Sequence, residues 1–250
     1  VAACIVANVW TVALAADESG VPGIVARAGK VSADVGLRGD TSNRPAADDS
    51  PDATAKEAGT AGRQVVSRGN GRLTPVAIPD GVLRTATDGR TVRISVETEG
   101  GLPVDATEFA RTVATVLTDA RGWQREDAVR FVEVTPQALA KGARVDLRIA
   151  LASPDTTDRL CTPLQTRGQV SCHNNNRAVL NLVRWQNGAG AYGSDLAGYR
   201  TYLVNHEVGH GLGHGHEYCS GEDRVAPLMM QQTYGLRGCT AWPWPTPKSA

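Results

Sequence analysis

Four of the chain's five histidines fall in one short string, His206-Glu207-Val208-Gly209-His210-Gly211-Leu212-Gly213-His214-Gly215-His216. Neutral imidazoles bind divalent ions, and residues four apart share one helical face, so His206 and His210 can offer nitrogens to one ion. Glu207 stands beside the first of them and can reach a water on that ion without being a ligand. Gly213 lets the chain leave the helix through backbone angles that other residues resist. The returning chain can then bring in His216 as a third ligand. Three protein ligands and an open fourth position make a catalytic site rather than a closed structural one. A rival triad, His206 with His210 and His214, needs the helix to run on. Gly209, Gly211 and Gly213 oppose that, at about 1 kcal/mol each relative to alanine. His216 is therefore the expected third ligand, with His214 behind the ligands or exposed.

The string H-E-x-x-H-x-x-G-x-x-H resembles the signature of the metzincin clan of zinc peptidases. Tyr199 to Pro245 is also similar to an uncharacterised family of actinobacterial extracytoplasmic proteins, and the whole resemblance spans roughly Val76 to Pro245. The metzincin pattern continues to a methionine turn beneath the metal. Here Pro227-Leu228-Met229-Met230 follows and holds the only two methionines of the chain. Met229 is assigned the Met-turn, with Met230 as the alternative. The resemblance implies Zn2+ held by His206, His210 and His216. Zinc lowers the pKa of its bound water, and Glu207 would take that water's proton and return it to a leaving amine. It also implies an α+β catalytic domain: a twisted mixed sheet packed on two long helices, with an irregular C-terminal subdomain. In such domains the last strand before the motif helix borders the cleft and pairs with an extended substrate. By position that edge is Ala178 to Val183. Some metzincins carry an oxyanion-binding tyrosine two residues after the turn methionine. Tyr234 lies five after Met229, so that role is unassigned.

Composition bounds the rest. Between Trp10 and Phe109 there is no aromatic residue, and residues 17–75 are rich in small and charged types without apolar periodicity. Such a stretch cannot bury enough surface to offset the entropy of ordering it, so it is expected to be disordered linker. The metallopeptidase-like domain is then 76–250. Residues 1–16, VAACIVANVWTVALAA, are apolar apart from Asn8 and Thr11. About twenty such residues are needed for a span, so they are expected to be the remnant of a signal or membrane anchor. The balanced charge, 26 basic against 26 acidic residues, argues against nucleic acid as a partner. Apart from Cys4, the cysteines form an even set, Cys161, Cys172, Cys219 and Cys239, which points to disulfides and an extracytoplasmic location. Neighbour pairing, Cys161–Cys172 and Cys219–Cys239, is the simplest of three connectivities.

The elements that must position the motif follow from periodicity. Thr91 to Glu97 alternates as a half-buried strand. Asp105 caps a helix, with Glu108 three residues on. Its buried face is Ala106, Phe109, Ala110, Val113, Val116, Leu117 and Ala120. Val129 to Val134, Ala143 to Leu151 and Arg177 to Arg184 read as further strands. Ser194 or Asp195 opens the motif helix. His173, in a polar His-Asn-Asn-Asn run, reads as a solvent-facing turn, with a substrate contact as the alternative, and Trp242-Pro243-Trp244-Pro245 as packing over the base of the domain rather than binding a ligand.

The leading functional expectation is a monomeric zinc endopeptidase, secreted or anchored at the cell surface, acting on a peptide or protein substrate. A non-catalytic zinc-stabilised envelope module is the alternative class. A zinc amidase acting on cell-wall peptides shares the chemistry and differs only in substrate.

Overall fold

A computed structural model describes residues 65–247. The apolar segment 1–16, Cys4 and most of the expected linker lie outside the described residues. The fold is α+β. Its strands are β1 (Leu73–Val76), β2 (Arg90–Glu99), β3 (Val129–Glu133), β4 (Leu147–Ala152), β5 (Cys172–Asn174) and β6 (Arg177–Asn181). Its helices are α1 (Ala106–Leu117), α2 (Trp123–Glu126), α3 (Pro136–Ala140), α4 (Pro154–Cys161), α5 (Leu182–Asn187) and α6 (Leu196–Leu212). After α6 the described chain is irregular except for a 3-10 turn at Gln232–Tyr234. No described helix is long and apolar enough to cross a membrane.

The strands form one mixed sheet in the order β1-β2-β4-β6-β5, with β3 also paired to β2. The β2–β3, β2–β4 and β4–β6 pairs are parallel, while β1 and β5 run antiparallel to their neighbours. Register decides which side chains meet. Ile94 lies opposite Leu147, Ile149 opposite Ala178, and Leu151 opposite Leu180. These residues share one core with Phe109, Val113 and Leu117 of α1 and Tyr199, Leu203 and Val208 of α6. Each fully buried aliphatic or aromatic side chain there contributes about 1.5–3 kcal/mol. The two long helices thus lie on one face of the sheet, and α6 is held between that sheet and the C-terminal segment.

The opposite face is polar but covered. Glu97 sits between Arg148 and Arg177, 3.2 Å from each. The Glu99 carboxylate accepts hydrogen bonds from the Ser153 N–H (2.7 Å), the Gly71 N–H (2.8 Å) and the Thr156 hydroxyl (3.0 Å). Burial pushes the Glu99 pKa up, but these hydrogen bonds outweigh it and leave the carboxyl below its ordinary value. Both faces of β2 are therefore buried beyond Ile94, although its alternation reads as a half-buried strand.

α1 matches its sequence signal. Asp105 accepts from the N–H groups of Thr107 and Glu108, and Phe109, Ala110, Val113, Val116 and Leu117 are buried. Ala106 is only half-buried, and Ala120 lies beyond the helix end and is exposed.

Four expectations need correction. Leu73 to Pro75, expected as linker, belong to β1, which pairs with the far end of β2. So short a strand shows no periodicity of its own and is specified by its partner. The strand expected from Ala143 begins only at Leu147, after a turn. The strand expected to run to Arg184 ends at Asn181, whose side chain accepts the Val183 N–H at 2.9 Å and caps α5. Finally, Ala178 to Val183 is not a sheet edge. β6 lies between β4 and β5, so the edge strand is β5.

Candidate metal centre

Asp195 caps α6 by accepting the Gly198 N–H at 2.8 Å, which fixes the phase of the helix that carries the motif. His206, Glu207, Val208 and Gly209 are buried in its last turns. The helix ends at Gly213, whose φ of 109° and ψ of 7° lie in the left-handed region. There the Gly213 N–H bonds the His210 carbonyl at 3.1 Å and the His214 N–H bonds the Gly209 carbonyl at 3.0 Å. The chain thus reverses where the sequence places its glycine. His216 returns to the open side of His206 and His210.

One ring nitrogen from each of His206, His210 and His216 lies within 4.8 Å of the other two. The Nε2 atoms of His206 and His210 are 3.2 Å apart. Their Nδ1 atoms point away, 3.0 Å from the Leu228 carbonyl and 2.9 Å from the His214 carbonyl. A carbonyl can only accept, so each Nδ1 carries the proton and each Nε2 presents a lone pair. Burial, with the neighbouring His210 adding to it, pulls the His206 pKa down to about 3, against the opposing Leu228 hydrogen bond. Burial also lowers that of His210. His206 and His210 thus present neutral nitrogen donors to the point where the His216 ring nitrogen also lies, an arrangement that could hold a divalent cation.

His214 is not in the cluster. Its ring stacks on Trp123 with centroids 4.4 Å apart, and its Nε2 is 2.8 Å from an Asp127 carboxylate oxygen. It serves the site through its backbone, whose carbonyl orients His210. Glu207 is 5% exposed. Burial raises its pKa to about 8, and its Oε2 has no hydrogen-bond partner.

Met229 lies under the motif helix. A Cβ built on Gly209 would come within 2.6 Å of the Met229 sulfur and 2.7 Å of Trp123 Cζ2. Glycine at 209 is thus what lets both side chains touch the helix between the first two histidines. Met230 packs elsewhere, with Ala226 and Cys239. Both disulfides pair as neighbours: Cys161–Cys172 and Cys219–Cys239, with Cα atoms 6.1 and 5.9 Å apart. The second encloses the methionine segment. Two disulfides agree with an extracytoplasmic location.

Several residues that hold the site carry no sequence signal. Tyr202 is buried beneath His206. Its hydroxyl donates to the Met230 carbonyl at 3.0 Å and accepts the Gln232 N–H at 2.9 Å. Gln232 is fully buried, and its side-chain amide bonds the carbonyls of Pro227 and Trp242 and the hydroxyl of Tyr192. Trp123 donates its indole N–H to the Asn205 carbonyl at 2.9 Å. Trp244 joins the main core with the Arg121 guanidinium 4.1 Å from its ring centroid, as packing over the base requires.

His173 departs from the expected solvent-facing turn. It lies on β5, opposite Ala178, and its Nε2 is buried against α6 without a hydrogen-bond partner. The polar run around it hides this, because Asn175 and Asn176 form the tight turn while Cys172 to Asn174 pair as a strand.

A family model described as protein of unknown function (DUF3152) matches residues 60–243. The chain belongs to this family. The DUF3152 match takes in every strand and helix described above, the three clustered histidines, Glu207, Met229 and both disulfides. No curated protein and no solved structure gives a significant match.

Proposed function

We propose that this chain is a zinc-dependent endopeptidase of metzincin type that acts outside the cell. The observation that carries the reading is the convergence of three histidine ring nitrogens beside a buried glutamate that is not one of them. The donor set fits the ion: all three ligands are uncharged, so a bound divalent cation keeps its full charge. Zinc suits imidazole donors, although three histidines also accept other divalent ions. When bound, the ion supplies a Lewis acid that polarises a carbonyl and acidifies a water.

The chain's own residues supply the rest. His206 and His210 are locked in one tautomer by the Leu228 and His214 carbonyls, so their geometry is set before metal arrives. Glu207 is the proton carrier. Its burial favours the neutral acid, while a cation alongside favours the carboxylate, so the group is poised to take a proton and give it back. Met229 and Trp123 close the floor at Gly209. Among the described residues the edge strand β5 has no strand on its outer side, where an extended peptide could join by backbone bonds.

The test is metal analysis and peptide-library cleavage by the full chain, with Glu207→Ala as control. The expected outcome is one ion per chain in both proteins and cleavage in the wild type alone. The rate should fall by about 10²–10⁴ or more, the usual loss on removing a general base. Cleavage that persists in Glu207→Ala overturns the mechanism. A metal-loaded wild type that cleaves nothing in a broad library overturns the enzyme reading in favour of a binding module.

A further inference from the structure

Among the described residues, four buried side-chain atoms lack a hydrogen-bond partner: Ser95 Oγ, His173 Nε2, Asn205 Oδ1 and Glu207 Oε2. A buried polar group left unpaired is costly, so a pair that could satisfy one another calls for an account. His173 and Glu207 are such a pair. Gly211 follows Glu207 by four residues and shares its helical face. A Cβ built on Gly211 would lie 3.3 Å from His173 Nε2 and 2.8 Å from Leu147 Cδ1. Leu147 and the imidazole of β5 therefore share the space that a side chain at 211 would fill, one turn beyond Glu207 on the same face. It is also close enough to His210 to interact with it electrostatically.

The other two atoms do not compete. Ser95 alternates with Ile94 and Val96 and so points to the sheet face that carries Glu97, away from α6. Asn205 turns its amide to the Pro243 carbonyl, on the C-terminal side of the helix. The chemistry is complementary as well. A neutral imidazole protonated at Nε2 is a donor, and a carboxylate oxygen is an acceptor.

We propose that His173 is the positioning residue of Glu207, its Nε2–H donating to Glu207 Oε2 in the metal-loaded protein. A side chain at 211 would collide with Leu147 first and press on the imidazole next, so glycine there leaves both in place. The bond pins one carboxylate oxygen and leaves the other to carry the proton, so it fixes the direction in which Glu207 works. This consequence for catalysis rests on the peptidase reading, but the bond itself does not.

Two measurements on the full chain separate those claims. The first is the imidazole 1H–15N spectrum of the zinc-loaded protein, with His173 identified by the signals lost in His173→Leu. A neutral His173 protonated at Nε2, whose Nε2 shift moves in Glu207→Ala, is the expected result. Protonation at Nδ1, or a His173 spectrum unchanged in Glu207→Ala, overturns the proposal whether or not the protein cleaves peptides. The second is kinetic. In His173→Leu, kcat should fall about tenfold or more, as misplacement of a reacting group does, with KM, zinc content and melting midpoint kept. His173→Gln, which retains an N–H donor, should recover most of that loss. A kcat that does not change in His173→Leu, or a loss that follows zinc release, refutes the positioning role. A wild type with no activity refutes the peptidase reading alone and leaves the spectrum to decide the bond.

Discussion

His206 and His210 stand on one face of α6, which is bonded along its length and pressed against the sheet by Tyr199, Leu203 and Val208. His216 stands on the segment after Gly213, where the described backbone makes one 3-10 turn and one isolated bridge, between Val225 and Thr240. The first region is held by many weak and equivalent contacts, so no single bond decides where its ligands lie. The second shares Leu228, Met229 and Trp244 with the core but has little regular structure, and distinct links fix its path: the Cys219–Cys239 disulfide, the Tyr202 hydroxyl, the Gln232 amide and the Glu217 N–H on the Met229 carbonyl at 3.0 Å. Two ligands of one site thus depend on helix geometry and the third on long-range links. Damage to the first region should appear as lost stability. Damage to the second should appear as lost metal.

The disulfides give the largest contrast, because the chain carries one in each region. Cys161–Cys172 ties the end of α4 to the edge strand β5, and Cys219–Cys239 braces the segment under the histidine cluster. Removing either pair as serines should cost on the order of 2–5 kcal/mol. Only Cys219→Ser/Cys239→Ser should also weaken zinc retention, with His216 signals broadening more than those of His206 and His210. Melting curves and competition with a chelator measure both effects. Equal zinc release from Cys161→Ser/Cys172→Ser would break the comparison.

The same division explains what was legible in the sequence. The clustering of His206, His210 and His216 could be read because helical periodicity places the first two by local rules and Gly213 announces the exit. The α1 face and its Asp105 cap could be read for the same reason. β1 and β5 could not, since strands of three or four residues are defined by a partner that sequence spacing does not name. His173 was hidden within a polar run that looks like a turn. Gln232 and Tyr202 were hidden because a buried amide or phenol is recognisable only by the carbonyls it meets. Met229 could be preferred over Met230, but the contact at Gly209 that separates them lies across the fold.

Tyr202→Phe sharpens the contrast within one helix. Tyr202 belongs to α6, yet its hydroxyl serves the irregular region, bonding the Met230 carbonyl and the Gln232 N–H. Phenylalanine keeps the ring beside His206 and removes only those two bonds. The Gln232 N–H and the Met230 carbonyl keep their bond to each other at 2.7 Å, so the loss is that of two hydrogen bonds, at about 0.5–1.5 kcal/mol each. The expected outcome is a modest drop in the melting midpoint and a larger proportional drop in zinc affinity, measured by titration. If zinc affinity stays at the wild-type value while stability falls, Tyr202 belongs energetically to the helix and not to the region it bonds.

The smallest expected effect comes from Gly213→Ala, set against Gly215→Ala. Gly213 adopts a φ of 109°, where a Cβ costs about 1–2 kcal/mol, whereas nothing lies within 4 Å of a Cβ built on it. The penalty is therefore one of backbone angle and not of collision. Gly215 is not among the residues with positive φ, and a Cβ there also meets open space, so alanine should be tolerated. Relief of the strain at 213 requires the last turn to unwind or to run on. Either change breaks the His214 N–H bond to the Gly209 carbonyl and moves the His214 carbonyl that orients His210. A small loss of stability should thus come with a loss of zinc affinity in Gly213→Ala, and with neither in Gly215→Ala. Zinc titration and melting of the two variants side by side give the answer. Equal behaviour of the two would mean that the reversal at Gly213 does not set the position of His216, and the third ligand would then owe its place to the disulfide and the methionine segment alone.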